Sequence, residues 1–382
     1  MTKSIPLDQA YVEAKKRGQE IGLSSLNCPF VTSSIHAQHF LTNLKTKFPE
    51  TTSDVKGCDA FILWSDHMYD SFVKVHNVLT ETGEFKKPIF IMEDGFLRSV
   101  DIYSSKNGIE YNKKWALSCS YTLSSFPHYD IREETDLEKL IKTKGRLSLG
   151  QTTRASKAIN FLKTNKISKY NNQKNSALSG ELTSKLRSPN KSNYKILILD
   201  QAFGDQSVLL SEANKETFQK MLDEALKITN NVSIKVHPEQ FVGRRKGYYS
   251  IERTDEQVFV SSSNYPSVLL IGEPVNPFSL ITQFDEVWTC SSQLGFEALF
   301  SGIKVRTFGL PFYAGYGLTI DDKVNHKVLE RRNKDVTLEQ LFYRAYIDYT
   351  TYCNPFCMSD KWSIEDACEF LKEQSHQWNA IK

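Results

Sequence analysis

Between residues 195 and 309 short apolar runs alternate with amphipathic stretches, and this alternation constrains the fold more than any other feature of the chain. KILILD (195–200), SIKVHP (233–238), SVLLIG (267–272), DEVWTC (285–290) and KVRTFG (304–309) have the length and character of strands. ANKETFQKMLDEALKITN (213–230) carries apolar residues three and four apart, and QLGFEALFSG (293–302) closes on Gly302 as a helix does. Strands and helices in alternation with short connections specify a parallel, doubly wound sheet. Upstream, DAFILW (59–64) and KPIFIM (87–92) read as strands flanking a helical pattern at 68–83. Residues 165–193 are rich in Asn, Lys and Ser and poor in apolar side chains, as a linker or surface loop is. The expected organisation is an N-terminal α/β domain (1–164), a polar linker (165–193), a second Rossmann-like domain (194–325) and C-terminal helices (326–382). Trp362 and Trp378 are available to pack those helices back on the body. The expected fold class is α/β, with two Rossmann-like domains facing a cleft.

The 382 residues carry 48 Lys and Arg against 45 Asp and Glu, a formal net charge of +3. That near-balance argues against a nucleic-acid partner, which a strongly basic face would announce. No run approaches the ~18 consecutive apolar residues of a membrane span. The first twenty residues lack the apolar core of a signal peptide, so a cytoplasmic location is expected. Seven cysteines, odd in number and without a CxxC pair, point to neither a disulfide framework nor a zinc site. His36 and His39 have no companion ligands nearby, and no metal is expected.

In a doubly wound sheet ligands bind beyond the carboxyl ends of the strands. LDQAFGDQSV (199–208) leaves a strand at Asp200 and turns through Gly204 to Asp205, a carboxylate suited to act as nucleophile, base or helix cap. In KVHPE (235–239), Lys235 and His237 alternate along a strand and share a face that suits a phosphate or carboxylate, with Glu239 at its mouth. In TCSSQLGFEALFSG (289–302), Ser291, Ser292 and Gln293 open a helix whose free N–H groups suit either an anion or ordinary capping. Glu297 lies one turn further in, within reach of a ribose. TFGLPFYAGYGLTIDD (307–322) packs three glycines and several aromatics, including Tyr313, into a loop that can wrap a base or a sugar. In the first domain MEDGFLRS (92–99) follows a strand and combines Glu93, Asp94 and Arg98; it suits an acceptor and its general base, or a salt-bridged turn. A GxGxxG after the first strand and a P-loop are both absent, which disfavours a dehydrogenase and a P-loop kinase. The plain reading is a nucleotide-using transferase.

EDGFLRS, DQAFGDQSV, KVHPE, NPFSL, SSQLGFEALFSG and FGLPFYAGYGLT stand in one order, and ERRNKDVTLEQLFYRAYIDYTTYCNP (330–355) follows. This series resembles the capsule polysaccharide biosynthesis family of KpsC type and the related O-antigen β-Kdo transferases, over roughly residues 87–355. WSDH (64–67) stands where that family commonly has a Trp-Gly element. The resemblance implies a GT-B-like architecture, a CMP-β-Kdo donor bound by the second domain, and retention through a sugar–Asp intermediate. It further implies Asp205 as nucleophile, Asp200 orienting its loop, and Glu93 as acid/base with Asp94 as second choice. Lys235, His237 and Glu239 would hold the donor, Ser291, Ser292 and Gln293 its phosphate, and Glu297 its ribose. Arg98, Gln201 and Tyr313 complete the expected substrate contacts.

No cofactor is implied beyond the donor, and the acceptor would be a saccharide or glycolipid. Such enzymes often carry two copies of the module; the one found here suggests addition of a single sugar. Membrane or assembly-complex contact would be peripheral, with GRRKGYY (243–249) as a candidate patch. Two alternatives are kept: a transferase using another CMP-sugar, and a non-catalytic assembly or export scaffold.

Overall fold

The computed structural model describes residues 61–64, 89–101, 113–173, 178–187, 192–237, 240, 245–252, 254–260, 263–323, 325–332 and 335–381. Its described strands are β1 (Phe61–Trp64), β2 (Ile89–Asp94), β3 (Ser120–Ser124), β4 (Ile196–Leu199), β5 (Val232–Lys235), β6 (Tyr249–Ser250) and β7 (Val258–Phe259). They continue as β8 (Leu269–Ile271), β9 (Glu286–Thr289), β10 (Lys304–Thr307), β11 (Ile320–Asp321), β12 (Thr350–Asn354) and β13 (Cys357–Trp362). The helices used below are α1 (Leu149–Asn165), α2 (Gln206–Leu209), α3 (Lys215–Ile228), α4 (Gln293–Phe300) and α5 (Ile364–Ile381).

The chain forms two compact units, both discontinuous. The first comprises residues up to His128, with Thr135–Leu140 and Arg344–Gln374; the second comprises Tyr129–Glu134, Ile141–Tyr343 and Ser375–Lys382. The fold is α/β, as the sequence indicates, but the boundaries differ from those expected. Helix α1 belongs to the second unit. The stretch after it is anchored there as well: Asn276 Nδ2 donates to the Lys166 carbonyl at 2.9 Å, and Ser375 Oγ and Trp378 Nε1 donate to the carbonyls of Asn171 and Asn172, each at 3.1 Å. The tail is not wholly helical either, because β12 and β13 complete the first unit's sheet.

The second unit holds a six-stranded sheet in the order β8-β5-β4-β9-β10-β11, with every pair parallel. Counted along the sheet's own strands this is 3-2-1-4-5-6, the doubly wound dinucleotide order, whose direction of winding reverses between β4 and β9. Ile196, Leu197, Ile198 and Leu199 are all buried, as a central parallel strand requires. Helix α3 starts on a capping box between Asn214 and Thr217 and buries Phe218, Met221, Leu222 and Ala225, spaced three and four apart. Phe218 stacks on Tyr248 with centroids 4.1 Å apart and planes 4° from parallel. That contact ties the segment after β5 into the core.

The first unit holds a mixed sheet, β1-β2-β3-β12-β13, in which β1 and β2 are parallel and the remaining pairs antiparallel. Gly95, just past β2, lies against β3 so closely that a Cβ there would stand 2.7 Å from Ser120 Cβ and 2.9 Å from Thr350 Cγ2. The Gly95 N–H donates to the Ser120 carbonyl at 3.1 Å. The glycine of EDGFLRS is therefore required by the close approach of its backbone to the Ser120 and Thr350 side chains. Among the described residues no helix is long and apolar enough to cross a membrane. The helical pattern at 68–83, His36, His39 and most of WSDH lie outside the described residues.

Candidate functional site

In sheets of this order ligands bind at the reversal point, here between β4 and β9. The residues leaving those two strands are joined across it. Gln201 Oε1 accepts the Ser291 N–H at 2.8 Å, and Gln201 Nε2 donates to Ser291 Oγ at 3.0 Å. Gln201 is 5% exposed. It was expected to touch substrate; here its amide oxygen and one amide N–H fasten the loop after β4 to the segment after β9. Ser292 caps α4, its Oγ accepting the Leu294 N–H at 3.3 Å, and its own N–H donates to Thr289 Oγ1 at 3.1 Å. The serines thus shape the start of α4.

Asp205 stands on the loop from β4, at the N-cap of α2. Its Oδ1 accepts from the Ser207 N–H at 2.9 Å and from Ser207 Oγ at 2.8 Å, and its Oδ2 is 3.5 Å from Arg245 Nη1. Its side chain stays 35% exposed. The capping reading and the nucleophile reading are therefore compatible: one oxygen is held and the other faces a guanidinium. Arg245 also donates to the Phe203 carbonyl at 3.4 Å. The described part of GRRKGYY also has an internal role, while Arg245 and Lys246 stay exposed. Residues 245–249 fold onto the 200–205 loop, with Phe203 N–H donating to the Lys246 carbonyl at 2.8 Å and an antiparallel bridge between Ala202 and Gly247.

Strand β5 ends at Lys235, so His237 lies beyond it and the expected strand alternation of the pair does not hold. Lys235 Nζ donates to the carbonyls of Val236 and Glu273 at 3.3 and 3.4 Å. Burial lowers the Lys235 ammonium to about 8, opposed first by the charge of Glu273. Burial likewise lowers His237 to about 4, leaving a neutral imidazole at pH 7. Lys235 is therefore the cation of this pair and His237 a neutral donor or acceptor. Glu239 lies outside the described residues.

Two expected ligand contacts are corrected by burial. Glu297 is 2% exposed; its Oε2 accepts from Ser168 Oγ at 2.6 Å and its Oε1 from Gln293 Nε2 at 3.0 Å. It fastens the 166–171 segment to α4 in place of a ribose. Burial raises its carboxyl to about 7 against the pull of the Ser168 and Gln293 hydrogen bonds. Tyr313 is fully buried, and its hydroxyl donates to the Ser292 carbonyl at 2.5 Å, so it props the start of α4 and offers a sugar no face.

In the first unit Glu93 lies on β2 in register with Thr122 of β3 and is half-buried. Thr122 is almost fully buried, as are Ser124 and Tyr349 beside it. Asp94 and Arg98 form an ion pair at 2.7 Å, and Arg98 Nη1 donates to Ser99 Oγ at 2.8 Å and to the Ala116 carbonyl at 3.2 Å. Arg98 is 2% exposed. It therefore serves the salt-bridged turn rather than a substrate carboxylate, and Asp94 is its partner. Glu93 is the acid of this motif not bound into that pair.

The family profile described as capsule polysaccharide biosynthesis protein matches residues 74–352. This chain belongs to that family. It is 32% identical over 339 residues to the capsule polysaccharide modification protein LipA of Neisseria meningitidis serogroup A, covering 87% of this chain and 44% of LipA. The chain thus spans about half the length of that relative. Among solved structures it resembles the KpsC β-Kdo 2,4 transferase of Thermosulfurimonas dismutans, with 31% identity and a TM-score of 0.70 over 90% of this chain and 98% of the other. The KpsC β-Kdo 2,7 transferase of the same organism, at 20% identity and a TM-score of 0.61, shares the fold. The capsule-family member described here thus carries Asp205 and Gln201 on the loop after β4, and Ser291 and α4 after β9, with Gln201 joining the two.

Proposed function

We propose that this chain is a retaining β-Kdo glycosyltransferase that moves Kdo from CMP-β-Kdo to a saccharide or glycolipid acceptor in capsule or lipopolysaccharide synthesis. The observation that carries the reading is the likeness to a solved KpsC β-Kdo transferase across 98% of that chain, at an identity of 31%. The half-exposed carboxylate of Asp205 near the reversal point supplies the chemistry the reading needs.

In the first step Asp205 Oδ2 attacks the anomeric carbon, a carbon–oxygen bond to Asp205 forms, and the bond to the CMP phosphate breaks with its electron pair leaving on CMP. In the second step the acceptor hydroxyl attacks the same carbon, its proton passes to Glu93, and the Asp205 carboxylate leaves. Two displacements retain the configuration. Lys235 supports the leaving phosphate, and the Arg245 guanidinium stands beside the attacking carboxylate in the free enzyme. No metal is required in this reading, since CMP is a stable leaving anion. Contact with the inner membrane or an assembly complex would be peripheral.

Intact-protein mass spectrometry after incubation with freshly made CMP-Kdo and no acceptor tests it. Wild type gains the mass of one Kdo unit, and Asp205→Asn, which keeps the capping oxygen, does not. An adduct that persists in Asp205→Asn removes the nucleophile assignment; CMP binding without any adduct on wild type removes the covalent mechanism.

A further inference from the structure

Asp200 ends β4 and is 4% exposed. Its Oδ1 accepts two backbone N–H groups, from Gln201 and Tyr248, both at 2.9 Å. Its Oδ2 is buried and makes no hydrogen bond of normal length and angle among the described residues, although the Tyr249 and His237 N–H groups also face the carboxyl. Gln240 Oε1 is likewise buried and meets no donor among the described residues. Both oxygens overlap the point where a Cβ would stand on Gly247, each well under 3.0 Å from it, so they are neighbours across one small space. The amide of Gln240 cannot be turned to relieve this, because its Nε2 donates to the Tyr249 carbonyl at 3.0 Å and a flip would set two acceptors together there. Two acceptors side by side in a buried space repel unless a hydrogen lies between them.

We infer that Asp200 is held as a neutral carboxylic acid whose Oδ2–H donates to Gln240 Oε1, making it a positioning residue for the loop that carries Asp205. The bond joins three segments: the 200–205 loop through Asp200, residue 240 after β5, and 247–249 through the Tyr248 N–H and the Tyr249 carbonyl. It leaves a single negative charge, that of Asp205, on a loop that holds two aspartates.

The side chains facing Asp200 supply no competing proton. Lys235, from β5, gives its ammonium to the carbonyls of Val236 and Glu273. Arg245 is turned to Asp205 and the Phe203 carbonyl. Cys290, at the end of β9, is a thiol whose ionisation is pushed up by burial, and the Tyr248 and Tyr249 phenols are pushed up likewise. His237, which contributes its backbone, is a neutral imidazole. Burial raises the Asp200 carboxyl to about 7, with the Tyr248, Gln201, Tyr249 and His237 N–H groups holding it back. Because the folded value lies above the unfolded one, the stabilisation is complete below about pH 4 and is lost as pH rises through about 7.

The link to Asp205 rests on the proposed function; the protonation state does not, and the test separates them. In the full chain labelled with carbon-13 at aspartate carboxyls, one resonance titrates near neutrality while the others are already ionised, and it disappears in Asp200→Asn. The difference in melting temperature between Asp200→Asn and wild type isolates this site from His237, Lys235 and Glu297. It grows in favour of the variant by several degrees between about pH 5 and about pH 8, since an amide donates to Gln240 at every pH. With CMP-Kdo, Asp200→Asn forms the Asp205 adduct within a few-fold of the wild-type rate. All aspartates ionised by about pH 5 in wild type, whether or not the variant folds, overturns the inference, as does a melting difference that does not change with pH. Neutral Asp200 together with no adduct on wild type would sink the transferase reading and leave the protonation standing.

Discussion

Gly295 is the third residue of α4, and replacing it by alanine sets a helix preference against a wall. In a free helix the change would stabilise by about 0.5–1 kcal/mol. Here the added Cβ would stand 2.8 Å from Thr289 Cγ2 and 3.2 Å from Tyr313 Cζ, and would overlap the Tyr313 hydroxyl. Tyr313 is fully buried, so its ring cannot swing into solvent. Overpacking of this kind costs roughly 1–3 kcal/mol. Driving the Tyr313 hydroxyl off the Ser292 carbonyl, now 2.5 Å away, leaves a buried donor unmade at roughly 1–3 kcal/mol more. After subtracting the helix gain, Gly295→Ala is expected to destabilise by about 2–4 kcal/mol. The assay is a double-mutant cycle with Tyr313→Phe, followed by thermal and denaturant unfolding. Removing the hydroxyl removes the worst overlap, so Gly295→Ala should cost about 1–2 kcal/mol less in the Tyr313→Phe background. A neutral or stabilising Gly295→Ala, or single costs that simply add, would refute the packing argument.

Glu297→Gln should flatten part of the pH profile. The folded carboxyl lies near 7 against an ordinary 4.5, so its stabilisation, on the order of 3 kcal/mol, is full below about pH 4.5 and lost as pH rises through about 7. A stability gain of the variant over wild type that does not grow with pH in that window would contradict it. Calorimetric CMP binding should weaken above about pH 8, by up to ~10-fold per unit, as Lys235 loses its proton; a flat profile to about pH 9.5 removes Lys235 from the phosphate. Gly95→Ala should destabilise by about 2–3 kcal/mol, because the new methyl meets Ser120 Cβ and Thr350 Cγ2, read by loss of melting temperature. Turnover with CMP-Kdo should survive a strong chelator, and activity restored only by added metal would overturn the metal-free leaving step.

The second unit was the more legible part of the fold. Its central strand, ILIL at 196–199, is a continuous apolar run, as a buried parallel strand is, and 286–289 and 304–307 also fall inside the expected segments. Asp205 and Ser292 were found through turn and capping chemistry, which is local. Burial is not local, and there the sequence was silent. Nothing in QLGFEALFSG separates a carboxylate that meets a ligand from Glu297, which meets Ser168, a residue 129 positions away. The same holds for Tyr313 and Gln201. The role of residues 245–249 was missed because a basic, aromatic string reads as surface until Tyr248 is seen stacked on Phe218. A signal for β12 did exist: Thr350, Thr351 and Tyr352 favour strand, and Asn354 and Pro355 favour a turn.

Strand β12 has a consequence for how the molecule comes into being. Tyr352 pairs with Ser120 and Thr350 with Thr122, so β3 waits for residues made more than two hundred positions later before that edge is covered. The second unit, whose sheet is drawn from one continuous stretch between β4 and β11, needs no such wait. On the ribosome the second sheet can therefore close while the first still presents an open edge, the kind of edge that recruits other chains. A chain cut after Tyr343 would keep every strand of the second sheet and lose the cover on β3. Emergence of residues 350–362, rather than synthesis of the first hundred, is the event that makes the Glu93-bearing sheet safe from aggregation.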